Sequence, residues 1–252
     1  MRVLVISDIH ANLAAFRAVL KKARGEYDEI FCLGDLVGYG SRPNECVELA
    51  TQSCSLVLAG NHDLAAGGVL GYDDFSERAK KSARWTSARI SPQNRDYLAG
   101  LLPRKNRGDM VFSHGGPESP VWSYILSEDD AEYSFQREAF RVCLFGHTHI
   151  PSVFVKTGGN KKDAGKRPPS CQAVYGLPEL SIDTNETGLR IMLNPGSVGF
   201  PRDAADGHTS ARLDRAAARY ALFDLKTGVW VFKRVEYNLK AGSEEMAREG
   251  LW

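Results

Sequence analysis

Arg2-Val3-Leu4-Val5-Ile6-Ser7-Asp8-Ile9-His10 opens the chain with a short apolar run that ends on an aspartate and a histidine. A run of that length, closed by polar residues, suits a strand buried on both faces. Working outward, residues 12–24 carry Leu13, Phe16, Val19 and Leu20 at helical spacing, with Asn12 as N-cap. A second strand is predicted over 30–34. A helix follows from Pro43, a residue suited to a first helical turn, to about Ala50. A third strand is predicted over 55–60, then a Gly-rich loop over 67–71 and mainly helical chain over 74–101. Strands return at 109–113 and 141–146, with a helix between them. Strand–helix–strand units of this kind predict an α/β protein with a largely parallel sheet at the start.

The second part of the chain has strands predicted over 152–157, 190–194, 219–225 and 229–237. Lys226-Thr227-Gly228 is a hairpin signal between the last two. Long crossover helices are missing here, so this part is expected to be antiparallel. Two β-rich parts in 252 residues predict two sheets packed face to face with helices outside, in one domain over residues 1–252. Residues 157–189 and 203–217 are polar and rich in turn formers and read as mobile insertions. The basic cluster Lys161, Lys162, Lys166 and Arg167 reads as solvated, and His208 as a surface histidine.

The composition narrows the function classes. Hydrophobic residues are 43% and charged residues 25%, which allows a sizeable core. With 32 basic and 31 acidic residues, the net charge of +1 gives no general pull toward nucleic acid or an anionic membrane. Phosphate recognition, if present, is local. No apolar run reaches the roughly 18 residues of a membrane span, and the N-terminus lacks a signal-peptide pattern. Five cysteines without a C-x-x-C pair read as reduced thiols, and the location is expected to be cytoplasmic.

Five of the six histidines stand beside polar residues just after apolar, strand-like runs. They lie in Asp8-Ile9-His10, Gly60-Asn61-His62-Asp63, Ser113-His114-Gly115 and Gly146-His147-Thr148-His149, and Gly34-Asp35 adds a carboxylate. One such aspartate is commonly a helix cap, and one such histidine an ordinary surface residue. The conjunction is stronger, because the carboxyl ends of strands in an open α/β sheet form the ligand crevice. Asp8, His10, Asp35, Asn61, His114, His147 and His149 are therefore expected on one rim as metal ligands. Oxygen and nitrogen donors without sulfur suit Mn²⁺, Fe or Zn²⁺. Seven donors exceed the needs of one four-coordinate ion, whereas two ions sharing a carboxylate would use them all. The glycines at 34, 60, 115 and 146 flank these positions, where close backbone approach is useful. Asp63, next to His62, is expected to orient that imidazole and keep it partly charged. Tyr39 and Asn12 lie close after ligand positions, within reach of a substrate, but turn and cap roles are favoured for them.

D-x-H, G-D, G-N-H-D, S-H-G and G-H-T-H, in this order from residue 3 to about 200, resemble the calcineurin-like metallophosphoesterase family. Asn194-Pro195-Gly196-Ser197-Val198-Gly199 and Pro201-Arg202-Asp203 further resemble its small prokaryotic phosphodiesterase and phosphatase branch. The resemblance implies a four-layer αββα sandwich of two mixed β-sheets flanked by helices. It also implies two divalent ions, Mn²⁺ first and Fe, Zn²⁺, Ni²⁺ or Co²⁺ as alternatives. Asp8, His10, Asp35 and His149 would hold one ion; Asp35, Asn61, His114 and His147 would hold the other. A metal-bridging hydroxide would attack phosphorus, and His62 would contact the phosphoryl group or protonate the leaving oxygen. Arg202 is the candidate phosphate contact, and Asn194 a second substrate-side candidate that would shape the site through the backbone.

The expected substrate is a small-molecule or nucleotide phosphate ester. A protein Ser/Thr phosphatase or a dinucleoside polyphosphate hydrolase is the alternative, though both are weakened because the arginine that follows the second motif in protein phosphatases is absent from Gly34-Asp35-Leu36-Val37-Gly38-Tyr39-Gly40. A non-catalytic scaffold on the same fold is disfavoured because every metal position is filled. The oligomeric state and the choice between mono- and diesters are left open by the sequence.

Overall fold

The computed structural model describes residues 1–157, 171–175, 181–185, 188–202 and 217–251. In the first part, β1 (Arg2–Ile6), α1 (Leu13–Lys22), β2 (Glu29–Cys32), α2 (Pro43–Ser53) and β3 (Leu56–Val57) alternate as the apolar pattern predicts. Asn12 caps α1 by accepting the Ala15 amide at 3.1 Å. Three helices follow: α3 (Asn61–Ala66), α4 (Glu77–Ser87) and α5 (Pro92–Ala99). Ser76 and Ser91 accept the Ala79 and Asn94 amides at the starts of the last two. Next come β4 (Arg104–Arg107), β5 (Met110–Ser113), α6 (Glu128–Arg137), β6 (Val142–Leu144), β7 (Ser152–Thr157), β8 (Cys171–Tyr175), β9 (Ser181–Asp183), β10 (Leu189–Asn194), β11 (Ala217–Asp224), β12 (Val229–Glu236) and α7 (Leu239–Arg248).

Two six-stranded mixed sheets result, in the orders β3-β2-β1-β11-β12-β9 and β4-β5-β6-β10-β7-β8. In the first, β3, β2 and β1 are parallel, and β1 then pairs antiparallel with β11, with Leu4 opposite Leu222. In the second, β5, β6 and β10 are parallel, while β4, β7 and β8 run antiparallel to their neighbours. Each sheet thus takes strands from both parts of the chain, so the parallel and antiparallel regions do not separate into different sheets.

The layers follow from side-chain alternation. Val3 and Val5 on β1, with Phe31, Leu33 and Phe223, pack against Phe112, Leu144, Ile191 and Leu193 between the sheets. Leu4 and Ile6, on the opposite face of β1, pack with Phe16, Val19 and Val47 of the helices. On the far side, Cys143, Phe145 and Met192 pack against Ala131 and Phe135 of α6. The order helix, sheet, sheet, helix is the αββα sandwich, with both faces of the central strands buried.

Two details depart from the sequence reading. The stretch 157–189, expected to be a mobile insertion, supplies β8 and β9, each an edge strand of one sheet. Its residues 158–170 lie outside the described set, as do 203–216 and His208. The polar strand β4 was not expected, because Arg104-Lys105-Asn106-Arg107 has no apolar alternation; it pairs with β5 at the sheet edge, where a charged strand is suited. Cys32, Cys46 and Cys143 are buried and unpaired, and burial pushes their thiols up, as expected of inert cysteines. No helix among the described residues is long and apolar enough to cross a membrane.

Candidate metal centre and active-site cleft

Asp8 and His10 leave the end of β1, Asp35 that of β2 and Asn61 that of β3, while His114 leaves β5 and His147 and His149 leave β6. The donors therefore come from both sheets and meet at one rim. The seven non-glycine residues with positive φ, among those described, are Asp8, His10, Ala11, Asp35, Tyr39, His147 and His149. A left-handed conformation costs a non-glycine residue of order 1 kcal/mol or more. Five of the seven are candidate ligands, so the strain is concentrated where the donors must turn inward.

The loops are braced against each other. Asp8 N–H donates to Gly34 O at 2.9 Å, His10 N–H to Asp35 O at 3.0 Å and Gly146 N–H to His114 O at 2.8 Å. Close approach explains the flanking glycines: a Cβ at Gly60 would lie 2.0 Å from Asp35 Oδ1, and one at Gly146 would lie 2.0 Å from Ser7 Oγ.

Each carboxylate is split between backbone and cavity. Asp8 Oδ2 accepts the His147 amide at 3.1 Å, leaving Oδ1 buried without a hydrogen-bond partner among the described residues. Asp35 Oδ1 accepts the His62 amide at 3.0 Å, while Oδ2 lies 3.7 Å from His10 Nε2 and 3.5 Å from His114 Nε2. Three imidazoles are oriented through Nδ1: His10 by Val37 O at 3.0 Å, His114 by Leu33 O at 2.9 Å and His149 by Phe200 O at 2.7 Å. With Nδ1 protonated toward a carbonyl, Nε2 keeps a free lone pair.

These lone pairs converge. His10 Nε2 and His149 Nε2 are 2.9 Å apart, and His114 Nε2 and His147 Nδ1 are 3.1 Å apart. Asn61 Oδ1 and His147 Nε2 are buried without hydrogen-bond partners among the described residues. Buried acceptors facing one another without a donor are costly, and a divalent cation relieves this arrangement. Donor atoms within 4.8 Å of one another form three groups: Asp8, His10 and His149; His10, Asp35 and His62; and Asp35, His114 and His147. Oxygen and imidazole donors without thiolate complete the fit to a divalent metal.

Burial dominates the electrostatics. It holds His10, His147 and His149 well below the ordinary imidazole range, and lowers His114 to about 4 and His62 to about 3. The same burial pushes the Asp8 carboxyl up to about 7 and that of Asp35 well above its usual range. A cation reverses the preference for the acids and keeps the imidazoles unprotonated.

Two expectations are corrected. Asp63 does not orient His62: its Oδ1 accepts Val37 N–H at 3.1 Å and its Oδ2 accepts Gly60 N–H at 3.0 Å. As the third residue of α3 it satisfies backbone donors at the helix start, which is where such a carboxylate is most useful. Among the described residues His62 Nδ1 has no hydrogen-bond partner; it packs on Gly38, and burial favours the uncharged ring. Asn194 does not face substrate either. Its amide donates to Gly146 O at 2.8 Å and Thr148 Oγ1 at 2.9 Å, and its Oδ1 accepts Gly196 N–H at 2.8 Å. It braces the His147–His149 loop.

The donors open onto a cleft of about 230 Å³ lined also by His62, Arg202, Tyr39, Phe75, Trp122 and Tyr124. Arg202, the candidate phosphate contact, lines the cleft and hydrogen-bonds the Tyr124 side chain. Phe75, Trp122 and Tyr124 were missed, because scattered aromatics carry no local signal of a site, and for Tyr39 a turn role was favoured over substrate contact. Tyr39 stacks on Phe200 with centroids 4.7 Å apart, and Tyr124 lies 4.0 Å from the His147 ring.

The sandwich and its rim of Asp, Asn and His donors define a metallohydrolase. A family description for calcineurin-like phosphoesterases matches residues 1–151. An uncharacterized protein, MJ0912, of Methanocaldococcus jannaschii is 34% identical over 256 residues, covering 98% of this chain and 92% of its own length. The crystal structure of a metallophosphoesterase from Sphaerobacter thermophilus is similar at a TM-score of 0.79 and 36% identity, covering 100% of this chain and 95% of that one. The hypothetical protein PH1004 from Pyrococcus horikoshii OT3 shares the fold at a TM-score of 0.73 and 19% identity, over 100% and 94% of the two chains. The chain belongs to the calcineurin-like phosphoesterase family and is a metal-dependent hydrolase of phosphoric esters.

Proposed function

We propose that the enzyme hydrolyses small phosphate mono- or diesters at a dinuclear centre. Asp8, His10, Asp35 and His149 would hold one ion, and Asp35, Asn61, His114 and His147 the other. The observation that carries this reading is Asp35 Oδ2, which sits within 4 Å of an imidazole from each group. Hard and borderline donors favour Mn²⁺ over softer ions. When bound, the ions supply Lewis-acid polarisation of the phosphoryl group and activation of water.

The chain's own residues do the rest. Arg202 presents a planar guanidinium to the phosphoryl oxygens, two donors to two acceptors. His62, neutral in the free site, is drawn toward imidazolium by the negative charge of a seated phosphoryl group. It then holds a proton where the leaving oxygen departs, which matters most for alkyl esters. Asn194 and Asp63 keep the two ligand-bearing loops in place through backbone contacts. A cytoplasmic location accords with cysteines that are free among the described residues.

The test is a panel of bis-aryl diesters, alkyl and aryl monoesters, 2′,3′-cyclic nucleotides and a phosphopeptide, each with Mn²⁺, Ni²⁺, Co²⁺ and Mg²⁺. Metal-dependent hydrolysis of the small esters, with the phosphopeptide inert, is the expected result. A protein carrying two metal equivalents yet hydrolysing none of them refutes the proposal.

A further inference from the structure

The cleft has a second chemical character that phosphate recognition does not use. Beside the donor cluster, ring contacts run from His62 to Phe75 at 5.0 Å and from Phe75 to Trp122 at 5.1 Å. Tyr39 joins this wall, 4.8 Å from the His62 ring. Phe75 and Tyr39 are buried, Trp122 is half-buried, and Tyr124 is 44% exposed. Phe75 and Tyr39 are covered by their neighbours and back the wall, whereas Trp122 and Tyr124 keep aromatic surface open at the mouth of a polar pocket, where such rings normally cover one another or a ligand. Asp74, exposed in the same cleft, adds an acceptor suited to ring amino groups.

The placement decides the occupant. The wall begins at His62, the residue assigned to the leaving oxygen, so it lies along the path of the leaving alcohol. An ester seated with phosphorus at the donor cluster would extend its alcohol over Trp122, which Phe75 supports from behind. We infer that the natural substrates are phosphate esters whose leaving alcohol carries a planar aromatic ring, nucleobase-like in size, stacked on Trp122. This rests on the phosphoester reading of the site. A flexible alkyl chain is a weaker match, since it gains apolar contact there but no stacking with ring faces.

The test separates the ring from the phosphate and from turnover. Non-hydrolysable methylenephosphonate isosteres of adenosine 5′-monophosphate, ribose 5-phosphate and n-octyl phosphate are titrated calorimetrically into the Mn²⁺-loaded enzyme. The adenosine compound is expected to bind about tenfold more tightly than the ribose compound, toward the lower end of what one base stacked on an aromatic side chain contributes. Trp122→Leu, which keeps apolar volume and the fold, is expected to erase most of that difference, and Trp122→Phe to retain it. Equal affinities for the adenosine and ribose compounds, binding of neither, or a gap that survives Trp122→Leu overturns the inference. An octyl compound that binds as tightly as the adenosine one overturns it in favour of an alkyl occupant. If the affinity gap holds while no ester in the panel is hydrolysed, the proposed function fails instead.

Discussion

Replacing Asn194 with alanine removes three buried hydrogen bonds, to Gly146 O, Thr148 Oγ1 and Gly196 N–H, at 2.8–2.9 Å. At about 1 kcal/mol net for each bond, the loss is about 3 kcal/mol of stability. In a chain of this size that lowers the melting temperature by about 6–12 °C. The urea midpoint should fall with its slope unchanged, since the unfolded state exposes the same surface. The bonds also position the loop that carries His147 and His149, so metal affinity should drop by about 10–100-fold, as when a ligand's supporting contact is lost. Urea titration of the metal-free variant and metal titration of the refolded variant measure the two effects separately. A stability loss under about 1 kcal/mol with unchanged metal affinity would refute the bracing role. Lost stability with full metal affinity would show that the loop holds its shape without Asn194.

Asp35→Asn should reduce bound metal from two equivalents to one or none and lower activity more than about 100-fold, as counted by elemental analysis beside initial rates; two ions and near-normal rates would disprove the shared-ligand assignment. His62→Gln should slow alkyl phosphates by about 10²–10⁴-fold and nitrophenyl phosphate far less. Equal losses on both substrates would remove the acid role. Chelation should destabilise the protein: at a metal concentration 100 times its dissociation constant, binding contributes about 2.7 kcal/mol. Scanning calorimetry should then show a midpoint about 5–10 °C higher with Mn²⁺ than with EDTA, and identical midpoints would argue against a structured metal site.

The candidate donor set was legible because each candidate ligand closely follows an apolar strand, and strand ends are recognisable from a few neighbouring residues. Asp8, His10, Asp35, Asn61, His114, His147 and His149 meet at one rim, as that pattern predicts. What their neighbours do was less legible. Asp63 and Asn194 look like chemistry-bearing groups, yet their partners are backbone amides and carbonyls positioned by the turn and by a distant loop. The aromatic wall was hidden because Tyr39, Phe75, Trp122 and Phe200 are scattered in sequence and join only through tertiary packing. Sheet order was hidden for a similar reason. The pairing of β1 with β11 links chain segments more than 200 residues apart, and local periodicity carries no information about it.

The rim draws Asp8, Asp35 and Asn61 from one sheet and His114, His147 and His149 from the other. Backbone ladders tie strands together only within a sheet, and the seam between sheets is closed by non-directional apolar contact among residues such as Leu33, Phe112 and Leu144. An ion held at the rim is therefore a clasp across that seam, pulling in a direction that no ladder resists. Packing defects deep between the sheets, far from any substrate, should register first as looser metal binding. Mechanical integrity and catalytic competence in this fold would then fail together.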